Sequence, residues 1–263
     1  MIITVVGKGG VGKSLISSYL FTLFSNSLAL DCDADNPSMH HWLGIEEWDT
    51  EVPLYLSEKA FEKEELHVSC PFGAIREGHV IKPLCHGCGV CKFLEPDKVE
   101  MRRTLTGWLR KKGNLISVKL KPGETGSGKL VHEMKKMASE IDHEIEIRDA
   151  PAGIGCATFS AIQGSDLLLI VVEPNLPSFQ AMKNLKKLAR EFGADYRVII
   201  NKWDLNKSFG EKIEKMEKVI GKIPYKREVF EASVRRELPK ILENSFIEIK
   251  ERVMEWWEGK GKG

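Results

Sequence analysis

Ile2-Ile3-Thr4-Val5-Val6-Gly7-Lys8-Gly9-Gly10-Val11-Gly12-Lys13-Ser14-Leu15-Ile16 is the stretch whose reading decides the fold. Its β-branched start has the composition of a buried strand. From Leu15 to Phe24 apolar residues recur at helical spacing. A glycine-rich loop between strand and helix lets backbone N–H groups approach phosphate oxygens with no Cβ in the way. The following helix adds its positive N-terminal end. In this pattern Gly7, Gly9, Gly10, Val11 and Gly12 form the cradle, Lys13 reaches the β- and γ-phosphates, and the Ser14 hydroxyl holds Mg²⁺. The expected ligand is a nucleoside triphosphate with Mg²⁺.

Outward from this stretch, strands and helices alternate. Leu28-Ala29-Leu30 is a short strand ending in Asp31-Cys32-Asp33-Ala34-Asp35, carboxylates where open α/β sheets place their ligand chemistry. Leu115 to Leu120 is a strand, Lys129 to Ser139 a helix, and Glu144 to Asp149 a strand that leads into Pro151 and Gly153. Asp166 to Glu173 reads as a fully buried strand. Ser178 to Phe192 has a helical apolar face, and Tyr196 to Asn201 is a further strand followed by Lys202-Trp203-Asp204. An amphipathic helix, a strand and turn from Val219 to Tyr225, and a helical tail from Leu238 to Trp257 complete the chain, apart from a low-complexity end at Gly259 to Gly263. This rhythm predicts an α/β fold with a mostly parallel, doubly wound sheet. It breaks between residues 52 and 104, where prolines, glycines and four cysteines cluster. That segment is expected to be a small inserted α+β domain, with residues 1–51 and 105–263 forming the main one.

Charged residues make up 29% of the 263-residue chain and the formal net charge is +1, so nothing favours nucleic acid as the main partner. No apolar run approaches the ~18 residues of a membrane span. The first apolar strand enters the glycine loop directly, unlike a secretory leader. Six cysteines in that setting point to metal or redox chemistry in the cytoplasm, not to disulfides.

Lys8, a second lysine inside the loop, makes it resemble the deviant Walker A of the MinD/ParA and nitrogenase-iron-protein superfamily. The resemblance implies an ATP-dependent homodimer in which Lys8 crosses to the partner's nucleotide. It extends to Asp31-Cys32-Asp33, similar to switch I, and implies that Asp33 orients the attacking water while Asp31 lies near the metal shell. Asp149-Ala150-Pro151-Ala152-Gly153 is similar to the Walker B and switch II, so Asp149 is implied to meet Mg²⁺ through water and Gly153 to face the γ-phosphate. At Asn201 the superfamily reads adenine. Asn201-Lys202-Trp203-Asp204 also spells the guanine-reading motif of regulatory GTPases, so GTP stays open beside ATP. Asp204 can equally cap the next segment.

The cysteines align with the two C-x₂-C-x₂-C-x₃-C-P runs of bacterial two-cluster ferredoxins, in which each run's last cysteine serves the other run's cluster. The second run here is Cys85, Cys88, Cys91 and Glu95-Pro96; the first is Ala60, Lys63, Leu66 and Cys70-Pro71. Replaced positions belong to one cluster, and Cys70, Cys85, Cys88 and Cys91 make the other complete. A single [4Fe–4S] centre is therefore expected, with Zn²⁺ on the same four cysteines as the alternative. Cys32 and Cys156 read as small apolar core residues.

The chain thus resembles a MinD-superfamily P-loop ATPase with an inserted ferredoxin-like domain, nearly from end to end. The expected function is ATP hydrolysis whose dimer motion is coupled to the cluster, for electron delivery or metallocofactor assembly on a partner protein. The alternative is a spatial-organisation or scaffold ATPase with a structural metal. Its membrane-binding variant would need the stripe Phe246, Ile247, Ile249, Val253, Met254, Trp256 and Trp257, which a packed terminal helix explains better because glutamates match its lysines.

Overall fold

Alternate residues of a strand face opposite sides of a sheet, and in the first strand both sides are apolar or internally bonded, so helices must cover both. The computed structural model describes residues 1–260, and Gly261 to Gly263 of the low-complexity end lie outside the described residues. Its strands are β1 (Ile2–Gly7), β2 (Ser27–Asp31), β3 (Thr50–Leu54), β4 (Ser57–Glu62), β5 (Ile75–Arg76), β6 (His79–Val80), β7 (Val99–Thr104), β8 (Gly107–Lys112), β9 (Leu115–Leu120), β10 (Ile145–Asp149), β11 (Leu167–Val172), β12 (Asp195–Asn201) and β13 (Val219–Ile223). The α-helices are α1 (Lys13–Leu23), α2 (Met39–Trp42), α3 (Val90–Leu94), α4 (Ser127–Ser139), α5 (Cys156–Ile162), α6 (Leu176–Glu191), α7 (Lys207–Met216), α8 (Glu228–Arg235) and α9 (Glu243–Lys260).

Nine strands form one sheet in the order β13-β12-β11-β1-β10-β2-β9-β8-β3. It is parallel from β13 to β9, and β8 and β3 add an antiparallel edge. Ile3, Val5, Leu167, Leu169 and Val171 point to the face covered by α1 and α9. Val6, Leu168, Ile170 and Val172 point to the face covered by α4, α5, α6 and α7. Such two-sided burial is what continuous β-branched runs require.

In α9, Phe246, Ile249 and Val253 are buried, Phe246 stacking on Tyr19 of α1 with ring centroids 4.0 Å apart. The terminal apolar stripe is thus largely spent on packing. Among the described residues no helix is long and apolar enough to cross a membrane.

The departing segment starts slightly later than the sequence implied. Val52, Pro53 and Leu54 lie in β3, paired with Leu109, Trp108 and Gly107 of β8, so the main sheet extends past residue 51. The β3–β8 ribbon bends where buried Thr106 Oγ1 accepts the N–H groups of Leu56 and Ser57 at 2.9 and 2.7 Å, then continues as the β4–β7 pair. That pair, the β5–β6 hairpin and α3 surround a small core of Ala60, Leu66, Val80 and Val99.

Candidate functional site

The loop after β1 sits where the sheet's connections diverge. From β1 the chain passes to β2 beyond β10, whereas β10 is followed by β11 on the other flank of β1. Ligands of open α/β sheets occupy such a crevice, outside the carboxyl ends of the strands. Val5 pairs with Asp149 and Asp149 with Asp31, so two carboxylates stand on adjacent strand ends beside Gly7–Ser14.

Gly12 has φ +93°, and a Cβ on it would lie 2.6 Å from Asn201 Nδ2. Buried Asn201 donates from Nδ2 to Val11 O at 2.8 Å and accepts the Lys202 N–H on Oδ1 at 2.9 Å. The residue expected to read the base is thus packed on the phosphate loop. Asp204 accepts the Tyr225 N–H at 2.7 Å, and Lys202 Nζ lies 2.6 Å from Glu173 Oε1. These bonds give the Asn-Lys-Trp-Asp stretch structural employment.

Lys13 is buried and donates to Lys8 O at 3.4 Å. Burial lowers its pKa, against the pull of Asp149 and Asp33. Asp31 is pushed well above the usual carboxylate range by burial and by Asp149, although its Oδ2 accepts the N–H groups of Ser38 and Met39 at 2.8 and 3.0 Å. Burial pushes Asp149 up to about 6, opposed by the Ser14 hydroxyl, Lys13 and Ser17, whose Oγ donates at 3.0 Å. Among the described residues Asp31 Oδ1 and Asp149 Oδ2 are buried without a hydrogen-bond partner. Uncompensated buried carboxylate oxygens are costly. Together with the Ser14 hydroxyl, which bonds Asp149, they form a hard oxygen set that fits Mg²⁺.

Asp33 is half-buried at the rim, where its Oδ1 accepts the Asn36 N–H at 3.1 Å, and burial raises its pKa. Lys8 is exposed. It shares a surface hollow with Gly9, Gly153, Ile154 and the α6 residues Ala181, Asn184 and Leu185.

All four expected cluster cysteines, Cys70, Cys85, Cys88 and Cys91, line one small, largely apolar cavity. The Ala60 N–H points at Cys85 Sγ, 3.4 Å away. Burial pushes the Cys91 thiol up, with Cys85 and Cys88 adding to it and the Lys92 N–H opposing. Gly87 passes so close to β4 that a Cβ would fall 2.1 Å from Glu58 O. Among the described residues no group of three His, Cys, Asp or Glu side chains is disposed to hold a metal ion, these four thiols included. At the replaced positions, Ala60 and Leu66 are buried in the small core, and Glu95 is held by the His67 N–H and by Lys98.

Cys32 is fully buried, as expected. Cys156 is exposed, contrary to its reading as a core residue. It opens α5, where it lines a groove with Gly128, Lys129 and His132 instead of facing the sheet. Two features escaped sequence reading. One is Ser38, whose hydroxyl donates to Ser14 Oγ at 2.8 Å. The other is an almost wholly buried ion pair, Lys59–Glu124, at 3.1 Å.

Uncharacterized protein MJ0578 of Methanocaldococcus jannaschii is 31% identical over 214 residues, covering 76% of this chain and 77% of its own. Uncharacterized ATP-binding protein MJ0823 of the same organism is 30% identical over 248 residues, 88% of either chain. Among solved structures, the septum site-determining protein MinD complexed with Mg-ADP from Pyrococcus horikoshii superposes with a TM-score of 0.61 at 16% identity, covering 96% of this chain and 95% of its own. The MinD cell division protein of Aquifex aeolicus superposes with a TM-score of 0.56 at 19% identity, over 96% of both. These two likenesses concern the fold. Residues 2–239 match the profile of the CobQ/CobB/MinD/ParA nucleotide-binding domain, and the chain belongs to that family.

Proposed function

We propose that this protein is an ATP-hydrolysing member of the MinD/ParA group whose nucleotide state is coupled to one [4Fe–4S] cluster on Cys70, Cys85, Cys88 and Cys91. The carrying observation is a relay of polar contacts, linked through chain-adjacent residues, from the cysteine cavity to α5, the helix that follows Gly153. Ala60, whose N–H meets Cys85 Sγ, follows Lys59, which pairs with Glu124. Ser57 Oγ donates to Thr125 O at 2.8 Å, and Lys129 Nζ to Leu56 O at 3.1 Å. On the far side of that loop, Ser160 Oγ of α5 donates to Gly128 O at 3.1 Å. Movement of residues 149–156 on meeting a γ-phosphate therefore presses on the loop that holds the cavity's frame.

In the nucleotide step, Lys13 supplies counter-charge to the β- and γ-phosphates, and Ser14, Asp149 and Asp31 would hold Mg²⁺, which neutralises phosphoryl charge. Asp33 orients the attacking water. Exposed Lys8 reaches the nucleotide of a second copy in an ATP-dependent homodimer. Adenine is the proposed base: beyond its bonds to Val11 O and the Lys202 N–H, Asn201 keeps a second Nδ2 hydrogen and a second Oδ1 lone pair to read it, whereas Asp204 is turned to the Tyr225 N–H. The cluster supplies one-electron chemistry. Four thiols around a cavity, one of them facing a backbone N–H, suit a multi-atom cluster better than a single Zn²⁺. Electron delivery or cofactor assembly then takes place on a redox or metallocofactor partner protein.

Anaerobic purification with iron and sulfide analysis, then EPR with and without ATP, tests this reading. About four irons and four sulfides per chain are expected, with a spectrum that changes on ATP addition. Glu124→Gln keeps the iron and the ATP affinity but loses the ATP-dependent change. Iron absent after anaerobic reconstitution, or a spectrum indifferent to ATP in the wild type, overturns the coupling.

A further inference from the structure

Ser38 occupies the position before α2, where a serine hydroxyl ordinarily accepts a bond from a backbone N–H of the first helical turn. It makes no such bond. The Ser38 and Met39 N–H groups are taken by Asp31 Oδ2 instead, at 2.8 and 3.0 Å. The freed hydroxyl turns to the phosphate loop and donates to Ser14 Oγ at 2.8 Å. Asp31 is thereby divided: Oδ2 holds the start of α2, and Oδ1 is a buried oxygen without a partner, as is Asp149 Oδ2 on the neighbouring strand.

We propose that Ser38 is a metal-positioning residue, fixing the Ser14 hydroxyl for Mg²⁺ and holding a water of the cation's shell. Two hydroxyls and two carboxylates, from the phosphate loop, β2, β10 and the segment before α2, then surround one ion. Mg²⁺ is a hard cation that accepts oxygen donors in near-octahedral array and retains several waters. The Ser38 hydroxyl is suited to one of those waters, since donation to Ser14 engages its proton and leaves lone pairs for a water hydrogen. Because the same residue's N–H is bonded to Asp31, cation binding also registers the conformation of residues 33–38. The anchor behind it is firm: Met39 is fully buried with Ala29 and Leu115, and His41 Nε2 lies 2.6 Å from Ser233 O.

The inference rests on the Mg²⁺-nucleotide reading of the phosphate loop, and the experiment separates the two. A fluorescent ATP analogue is titrated into wild type, Ser38→Ala and Ser38→Thr, with Mg²⁺ varied and with EDTA, and Mn²⁺ replaces Mg²⁺ for EPR. Ser38→Ala is expected to raise the half-saturating Mg²⁺ concentration about tenfold, the scale of one hydrogen bond to a charged centre. It should also alter the Mn²⁺ spectrum while leaving affinity in EDTA unchanged. Ser38→Thr restores the wild-type cation dependence. A wild-type Mg²⁺ curve for Ser38→Ala, or equal weakening with and without the cation, overturns the assignment. Absence of any Mg²⁺ dependence in wild type overturns the loop reading beneath it.

Discussion

The nucleotide crevice and the cysteine cavity are built on opposite terms. The crevice lies over two extensive apolar layers, with Lys13 buried at the start of α1 and Asp31, Asp149 and Asn201 buried at the ends of central strands. The cavity lies beside a core of Ala60, Leu66, Val80 and Val99, framed by two two-stranded sheets and the short helix α3. So little apolar burial does not offset the entropy of ordering such a segment. The first site is held by the fold; under the proposed function the second takes its order from the bound cluster.

The largest test of that contrast is Lys13→Ala. Removing the buried counter-charge of a triphosphate costs on the order of 3–5 kcal/mol. ATP affinity should fall by two orders of magnitude or more in calorimetry, with iron content and protease resistance unchanged. Loss of iron in this variant would break the contrast.

Cys70→Ser is the reciprocal test. Iron should fall from about four per chain to below one, and limited proteolysis should then cut between residues 55 and 106, with ATP affinity within about twofold of wild type. Cys32→Ser should keep its iron, since Cys32 lies under the main sheet. A protease-resistant Cys70→Ser protein would mean that the small core suffices alone.

Asn201→Ala sharpens the comparison within the rigid half. It strips the buried Val11 carbonyl of its donor, at roughly 1–3 kcal/mol, so ATP binding should weaken about tenfold. Because the loop itself is loosened, binding of inorganic triphosphate should weaken as well, though less than that of ATP, which also loses the base contact. Unchanged triphosphate binding would make Asn201 a base reader only, and equal weakening a brace for the loop only.

Much of this was legible in the chain. The β-branched run Ile2–Val6 and the wholly apolar run Leu167–Val172 read as central strands, and the phosphate loop follows from its glycines. The sheet's far edge was not legible, because Thr50–Leu54 carries charge and Pro53 and is mostly exposed, as an edge strand allows. Asn201 on Val11 and Lys59 on Glu124 join residues far apart in sequence, and no local period announces them. Ser38 was hidden because the four-residue helix after it is too short to show a period. Cys156 was misplaced because composition cannot say which side of a seven-residue helix its first residue takes.

The ends of the cysteine-bearing segment meet as hydrogen-bonded neighbours, Leu54 opposite Gly107, on the outermost strands of the sheet. Topologically, everything from Tyr55 to Thr106 occupies the place of a hairpin turn. A turn can be exchanged for another without rethreading the chain, so the geometry describes a socket. Closing a longer excursion costs only logarithmically more entropy once its ends are pinned. The central sheet can therefore complete itself during folding before the cysteines find one another, and a two-residue turn grafted across Leu54 and Gly107 would leave a P-loop protein with its edge intact.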